Sequence, residues 1–182
     1  MILYGMIISG FGGQGILTLG KMFALAAMKD NLNVTYYPSY GAEVRGGTAH
    51  CGVIFSDEAI ASPIVYEADA LLALNEPSLK KFLPRLKKDG FLVCNSSLIS
   101  PKYLKNNGKQ VCSIPATEVA RELDIEKATN MVIAGCFFKH FSLVKQDSFL
   151  QSLLDVFPKI TQKLHEKNIT AFERGLNHEC SE

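Results

Sequence analysis

Two glycine-rich stretches of the sequence have the composition of ligand-binding loops. The first reads Gly10-Phe11-Gly12-Gly13-Gln14-Gly15, with the spacing G-x-G-x-x-G, and stands between an apolar run and a segment of helical periodicity. This pattern predicts a strand, a tight turn and a helix whose N-terminal N–H groups face an anion or a polarised oxygen. Glycine suits the turn because side chains would obstruct the bend, the approach of an anion and the packing of the helix.

The second stretch follows the second expected strand and reads Tyr40-Gly41-Ala42-Glu43-Val44-Arg45-Gly46-Gly47. Loops after the strands of an open α/β sheet usually form its ligand-binding edge. Two interpretations stay open for the charged residues. Glu43 and Arg45 form a surface ion pair of little energetic value. Alternatively, Arg45 binds a phosphate or carboxylate through its planar fork, while Glu43 orients it or accepts a hydrogen bond from a partner.

A nicotinamide cofactor is disfavoured by the end of the second expected strand. A NAD site needs an acidic residue about 20 residues after the glycines, where it binds the ribose hydroxyls. The strand expected at residues 34–37 continues into Pro38 and Ser39, and neither residue is acidic. Asp30 falls at the end of the preceding helix and Glu43 in the later loop. A stand-alone nucleotide-binding domain using NAD or a flavin therefore remains only as an alternative.

Alternating strand and helix patterns predict the scaffold that positions both stretches. We expect an α/β fold with a Rossmann-like, mostly parallel sheet, helices on both faces, a hairpin or edge insertion, and a C-terminal helical extension. One domain is expected to cover residues 1–182. The expected strands are residues 2–8, 34–37, 48–55, 70–74, 91–94 and 109–114, with residues 59–65 as an extended partner of 48–55. The expected helices are residues 16–28, 77–87 with Gly90 as its cap, 115–123, 130–141, 146–157, 158–167 and 169–177.

Charge and hydropathy exclude several classes of partner. The chain has 182 residues, of which 19 are basic and 18 acidic, giving a net charge of +1. This balance creates no field for nucleic acid or an anionic membrane surface. The lysines of residues 80–88 are expected on a solvated helix face. No apolar run is long enough to span a bilayer and no signal peptide is recognisable, so we expect a cytoplasmic protein.

Cysteine and histidine spacing gives no sign of a metal site. The five cysteines are tens of residues apart, without any C-x-x-C, which predicts neither a zinc nor an iron–sulfur framework. Buried free cysteine behaves as a small hydrophobe, so most of them are expected to be inert. The cysteines are Cys51, Cys94, Cys112, Cys136 and Cys180. The histidines, His50, His140, His165 and His178, also lack the spacing of metal ligands.

The two glycine-rich motifs, followed by Ser56-Asp57-Glu58 and Ile60-Ala61-Ser62-Pro63, resemble the gamma subunits of 2-oxoacid:ferredoxin (acceptor) oxidoreductases. The chain is most similar to the gamma subunit of the 2-oxoglutarate enzyme. The resemblance spans about residues 3–175. It departs from the family pattern at Ala42, where proline is frequent.

The resemblance implies a complex that oxidises 2-oxoglutarate with coenzyme A to succinyl-CoA and carbon dioxide. Alpha and beta subunits would hold thiamine diphosphate, and iron–sulfur clusters on beta or delta subunits would pass electrons to ferredoxin, flavodoxin or a quinone-linked acceptor. This chain alone would hold no cofactor and supply no catalytic residue, with coenzyme A as its candidate ligand. Its two loops would face the partner subunits or coenzyme A through Gly10, Gly12, Gly13, Gln14, Gly15, Tyr40, Gly41, Glu43, Arg45, Gly46 and Gly47.

Alternatives within this interpretation concern the substrate and the role of the loops. The gamma subunit of a pyruvate or branched-chain 2-oxoacid enzyme fits the same motifs, because substrate-selecting residues are expected mainly on the other subunits. A purely architectural subunit, whose glycine turn packs against a neighbour and binds no ligand, is the other alternative.

Overall fold

The computed structural model describes residues 1–39, 48–103 and 110–180, so the second glycine-rich stretch lies outside the described residues. The strands are β1 (Leu3–Phe11), β2 (Asn33–Ser39), β3 (Thr48–Ser56), β4 (Ala68–Ala73), β5 (Leu86–Asn95) and β6 (Gln110–Ile114). The helices are α1 (Ile16–Lys29), α2 (Glu76–Phe82), α3 (Ala116–Glu122), α4 (Thr129–Phe138), α5 (Gln146–Val156) and α6 (Gln162–Leu176).

All six strands form one sheet in the order β2-β3-β1-β4-β5-β6. The pairs β1–β4, β4–β5 and β5–β6 are parallel, whereas β3 runs antiparallel to both of its neighbours. Strand β3 is thus the reversed strand in a sheet whose other members share one direction. The predicted Rossmann-like, mostly parallel sheet is confirmed, with a β2–β3 hairpin at its edge.

The sheet separates a large core from a smaller one. On one face, α1 buries an apolar stripe that includes Leu19 and Phe23, and the Phe23 ring lies 4.7 Å from the Phe149 ring of α5. On the other face, α2 buries Leu79 and Phe82 against alternate residues of the same strands. Because both faces are covered, the central strands are apolar along nearly their whole length.

The predicted partner of β3 is wrong, and so is the end of the second predicted helix. Residues 59–65 form no strand, because β3 already pairs with β1 and β2. Helix α2 ends at Phe82 and a single 3₁₀ turn, Leu83–Arg85, contains Pro84. Proline cannot continue an α-helix, and the chain enters β5 at Leu86. Gly90 consequently lies inside β5 rather than at a helix cap.

The two helices predicted for residues 158–167 and 169–177 are one helix, α6. It packs closely on α4 because glycines lie at the contact: a Cβ on Gly135 would lie 1.9 Å from the Phe172 carbonyl oxygen, and one on Gly175 would lie 2.0 Å from that of Val132. Helix α4 is buried on every side. Among the helices of the described ranges, none combines the length and apolar character needed to cross a bilayer.

Candidate functional site at the carboxyl edge of the sheet

The first glycine-rich stretch forms the predicted turn between β1 and α1. Gly13 and Gly15 have φ angles of 96° and 72°, in the left-handed region that favours glycine. Gly15 is the N-cap of α1, where no described side chain provides a cap and the first turn has no acidic residue. The first N–H groups of α1 are thus available to an anion, and the local helix dipole favours negative charge there.

Gln14 holds the turn in place through its carboxamide oxygen. That oxygen accepts hydrogen bonds from the Phe11 N–H at 2.7 Å and from Asn75 Nδ2 at 3.0 Å. Asn75 in turn accepts a hydrogen bond from the Ser78 N–H at 3.0 Å and so caps α2. The glycine turn after β1 is thereby joined to the segment after β4, on the neighbouring parallel strand.

Asn130 is a second brace, which the sequence analysis did not identify. Its Nδ2 donates to the Gly15 carbonyl at 3.2 Å, and its side chain is almost completely buried. A Cβ on Gly15 would lie only 2.4 Å from this nitrogen. The brace spans 115 residues and joins the turn to α4. The one local indication of this role in the sequence is the position of Asn130, a polar residue at the start of the apolar helix α4.

Strand register places the residues that flank the second glycine-rich stretch at the same sheet edge as the first stretch. Thr48, which follows residues 40–47, pairs with Phe11 at the end of β1. Ser39, which precedes them, pairs with His50, and His50 pairs with Ser9. Both flanks of residues 40–47 therefore lie at the carboxyl edge that carries the glycine turn, and Thr48 is directly beside it. The candidate residues Tyr40, Gly41, Glu43, Arg45, Gly46 and Gly47 lie outside the described residues.

A histidine and a lysine lie next to this edge. Lys81 is exposed, as expected, and its Nζ lies 3.5 Å from Thr48 Oγ1. The His50 ring lies 4.5 Å from the Phe82 ring. Burial, with the nearby charges of Lys81 and Arg85, lowers the pKa of His50 from 6.5 to about 4. His50 is therefore neutral at pH 7, and Lys81 supplies positive charge beside Thr48, the first residue of β3.

A cavity of about 840 Å³ opens on the other side of the glycine turn, among α1, α4, α5 and α6. Gly13, Gly15 and Asn130 contribute to its lining, as do three charged residues, Glu126, Lys127 and Lys159. The rest is largely apolar and includes Met22, Leu153, Val156, Phe157 and Ile160. Such a space suits an elongated ligand that has both an anionic group and an uncharged arm.

The cysteines are closer together in space than their spacing indicated. Cys112 of β6 forms a disulfide with Cys180, which follows α6, so the expectation of free, separate thiols is wrong for this pair. Cys51, Cys94 and Cys136 are free and buried. The spacing of these cysteines gives no local sign of the cluster, because its members come from three distant elements.

The sheet order and the glycine turn after β1 define a Rossmann-like α/β domain with an anion-type turn at its carboxyl edge. Comparison with protein families gives the particular class. The chain belongs to the pyruvate ferredoxin/flavodoxin oxidoreductase family, whose pattern matches residues 5–178. The resemblance to gamma subunits expected from the motifs is confirmed.

Three relatives illustrate the relationship. The chain is 34% identical over 169 residues to ketoisovalerate oxidoreductase subunit VorA of Methanothermobacter thermautotrophicus, covering 92% of this chain but only 35% of VorA. The chain thus spans about a third of the length of that relative. It is 33% identical over 170 residues to 2-oxoglutarate synthase subunit KorC of Methanocaldococcus jannaschii, covering 92% of this chain and 89% of KorC. The crystal structure of the keto/oxoacid ferredoxin oxidoreductase gamma subunit from Geobacter sulfurreducens superposes with a TM-score of 0.77 at 28% identity, covering 94% of this chain and 95% of that one.

Proposed function

We propose that this chain is the gamma subunit of a 2-oxoglutarate:ferredoxin/acceptor oxidoreductase, which converts 2-oxoglutarate and coenzyme A to succinyl-CoA and carbon dioxide. Support for 2-oxoglutarate comes from the near full-length match to KorC. The match to VorA supports a branched-chain 2-oxoacid as the alternative substrate. Alpha, beta and delta subunits are the proposed partners, with ferredoxin, flavodoxin or a quinone-linked carrier as the electron acceptor.

The pairing of Phe11 with Thr48 is the observation that carries this proposal. It brings the glycine turn and the flanks of residues 40–47 to one edge, where they can form a continuous surface. Gly12 and Gly13 are exposed in the turn. In the proposed role, this surface docks on the alpha and beta subunits beside their active centre.

Coenzyme A is the proposed small-molecule ligand of this surface. Its phosphates require N–H donors and cations, which the start of α1, Lys81 and Arg45 would supply. Its uncharged pantetheine arm requires an apolar channel, for which the cavity beside Gly13 and Gly15 has room. In this proposal Arg45 makes the bidentate phosphate contact and Glu43 orients it.

Redox chemistry is assigned to the partner subunits. An iron–sulfur cluster usually takes four cysteine ligands. Only three cysteine sulfurs come together among the described residues, and two of them are bonded to each other. As the family resemblance implies, the proposal places thiamine diphosphate on the alpha and beta subunits and the iron–sulfur clusters on the beta or delta subunits.

A purely architectural role is the second candidate, and the bracing of the turn favours it. Gln14 and Asn130 already use polar groups to hold the turn, as a rigid docking element without a ligand would require. If the role is purely architectural, glycine-turn variants that still assemble would show the same dependence of rate on coenzyme A concentration as the wild-type complex.

Isolation of the native complex tests the proposed function. The chain is affinity-tagged in its own cells and the co-purifying chains are identified by mass spectrometry. The complex is then assayed with 2-oxoglutarate, pyruvate and 3-methyl-2-oxobutanoate, with coenzyme A and a viologen acceptor. We expect subunits with thiamine diphosphate and iron–sulfur clusters, and the highest kcat/KM with 2-oxoglutarate. A preference for another acid would overturn the substrate, and absence of such subunits would overturn the whole proposal.

A further inference from the structure

Three cysteine sulfur atoms meet at one place near the end of the chain. Cys112 lies in β6, Cys136 in α4, and Cys180 beyond α6. Cys136 Sγ lies 2.7 Å from Cys112 Sγ and 4.0 Å from Cys180 Sγ, and all three sulfurs lie within 4.8 Å of one another. This site lies apart from the glycine turn, and the proposed docking role makes no use of it.

The three sulfurs lie at the margin of the large hydrophobic core. Cys112 and Cys136 are fully buried, and Cys180 is partly exposed. Three thiolates gathered in the protein core need a compensating positive charge, which a bound divalent cation would provide.

The spacing of the sulfurs suits a thiophilic cation. Zinc binds thiolate at about 2.3 Å in a tetrahedral arrangement, so its sulfur ligands lie about 3.8 Å apart. Cys136 Sγ already lies 4.0 Å from Cys180 Sγ, and breaking the Cys112–Cys180 bond frees those two sulfurs to move apart toward the same separation. Three protein ligands leave the fourth position for water, on the side where Cys180 is partly exposed.

Contacts other than the disulfide keep Cys180 in place. His178 Nε2 lies 2.9 Å from the Ser113 carbonyl oxygen, next in sequence to Cys112. The Lys139 ammonium donates to the His178 carbonyl. Because these contacts involve no cysteine, they hold the segment beside β6 and α4 after reduction, and the third ligand remains near the other two.

We propose that Cys112, Cys136 and Cys180 bind one zinc-type divalent cation when the Cys112–Cys180 disulfide is reduced. A dithiol reductant supplies two electrons and two protons, becomes a disulfide itself, and leaves Cys112 and Cys180 as thiols. The cation then takes the place of the three thiol protons, which pass to solvent. The disulfide and the metal exclude each other, because bonded sulfurs are not thiolate ligands.

Cobalt(II) added to the full-length chain tests this proposal, because thiolate–cobalt charge-transfer bands report sulfur ligation. We expect the bands, saturating at one cobalt per chain, in the reduced protein, and none in the protein oxidised at Cys112–Cys180. Zinc should displace the cobalt and raise the Tm of the reduced protein only. This comparison uses only wild-type protein, so its result does not depend on whether any variant folds.

Two serine variants assign the ligands. Cys136→Ser should remove the charge-transfer bands or weaken them strongly. Cys51→Ser, at another buried cysteine outside the cluster, should retain them at the wild-type stoichiometry. The proposal is overturned if the reduced wild-type chain shows no thiolate–cobalt band, or if a folded Cys136→Ser chain keeps the band unchanged. It is also overturned if peptide mapping finds only disulfide exchange between Cys136 and the other two cysteines.

Discussion

Phe11, the last residue of β1, lies directly opposite Thr48, the first residue of β3. The residue that follows the second glycine-rich stretch is therefore adjacent to the start of the glycine turn, although Phe11 and Thr48 are 37 positions apart in the sequence. Antiparallel pairing of β3 with both β1 and β2 produces this arrangement. The proposed docking surface depends on this arrangement of β1, β2 and β3.

Replacing Gly15 by alanine should destabilise the chain more than the same change at Gly13. Both glycines have positive φ, which costs alanine about 1–2 kcal/mol. At Gly15 the added Cβ would also meet Asn130 Nδ2 at 2.4 Å, whereas nothing lies within 4 Å at Gly13. Displacing Asn130 adds a lost hydrogen bond, worth about 1 kcal/mol. Urea unfolding of both variants measures the difference, and equal losses would rule out the Asn130 brace.

Replacing Gln14 by leucine should lower the free energy of unfolding by about 1–3 kcal/mol, because the Phe11 N–H and Asn75 lose their shared acceptor. Gln14→Glu retains an oxygen at the same place and serves as the matched control, with a smaller loss expected. Denaturant titration measures both values. If Gln14→Leu were as stable as Gln14→Glu, the brace would have no energetic role.

Acid should destabilise the chain through His50. Its folded pKa of about 4 lies below the unfolded value of 6.5, so the unfolded chain binds the proton first. The contribution of neutral His50 is complete above about pH 6.5, declines as the pH falls toward about 4, and changes no further below that. Unfolding free energies across this window should depend less on pH in His50→Gln than in wild type; identical slopes would contradict the assignment.

The charge of Lys81 should be detectable at the same imidazole. Lys81→Ala removes one of the cations that lower the pKa of His50, so this pKa should rise. Lys80→Ala is the matched control, because Lys80 is paired with Glu76 at 2.7 Å and is not among the causes of the shift. NMR titration of the His50 ring measures both variants. An equal pKa in the two would mean that Lys81 does not act at this edge.

The sequence predicted the turn and the sheet because both depend on local patterns. Glycine spacing, the apolar run of β1 and the periodicity of α1 all act within a few turns of chain. The order of the strands and the reversed direction of β3 depend on contacts between residues far apart in sequence. Residues 59–65 were therefore expected to pair with β3, whereas β2 is the strand that does so. Pro84 was the local signal that should have ended the second helix earlier.

The braces and the cysteine cluster could not be predicted in the same way. Asn130 reaches Gly15 across 115 residues, and Cys112 reaches Cys180 across 68. Neither pair belongs to a short motif, because each depends on how α4 and α6 pack on the sheet. Gly135 and Gly175 permit that packing, and their roles become apparent only when the opposing carbonyls are known.

Arg45→Ala in the assembled complex tests whether the edge containing Phe11 and Thr48 binds coenzyme A. The measurement is the KM for coenzyme A at saturating 2-oxoacid, with assembly checked by size-exclusion chromatography. Arg174→Ala, which removes an exposed arginine of α6 that pairs with Glu122, is the control. Loss of a charge-assisted phosphate contact predicts a KM raised about tenfold or more in Arg45→Ala, with kcat little changed. A fully assembled Arg45→Ala complex with the wild-type KM for coenzyme A would contradict the proposal.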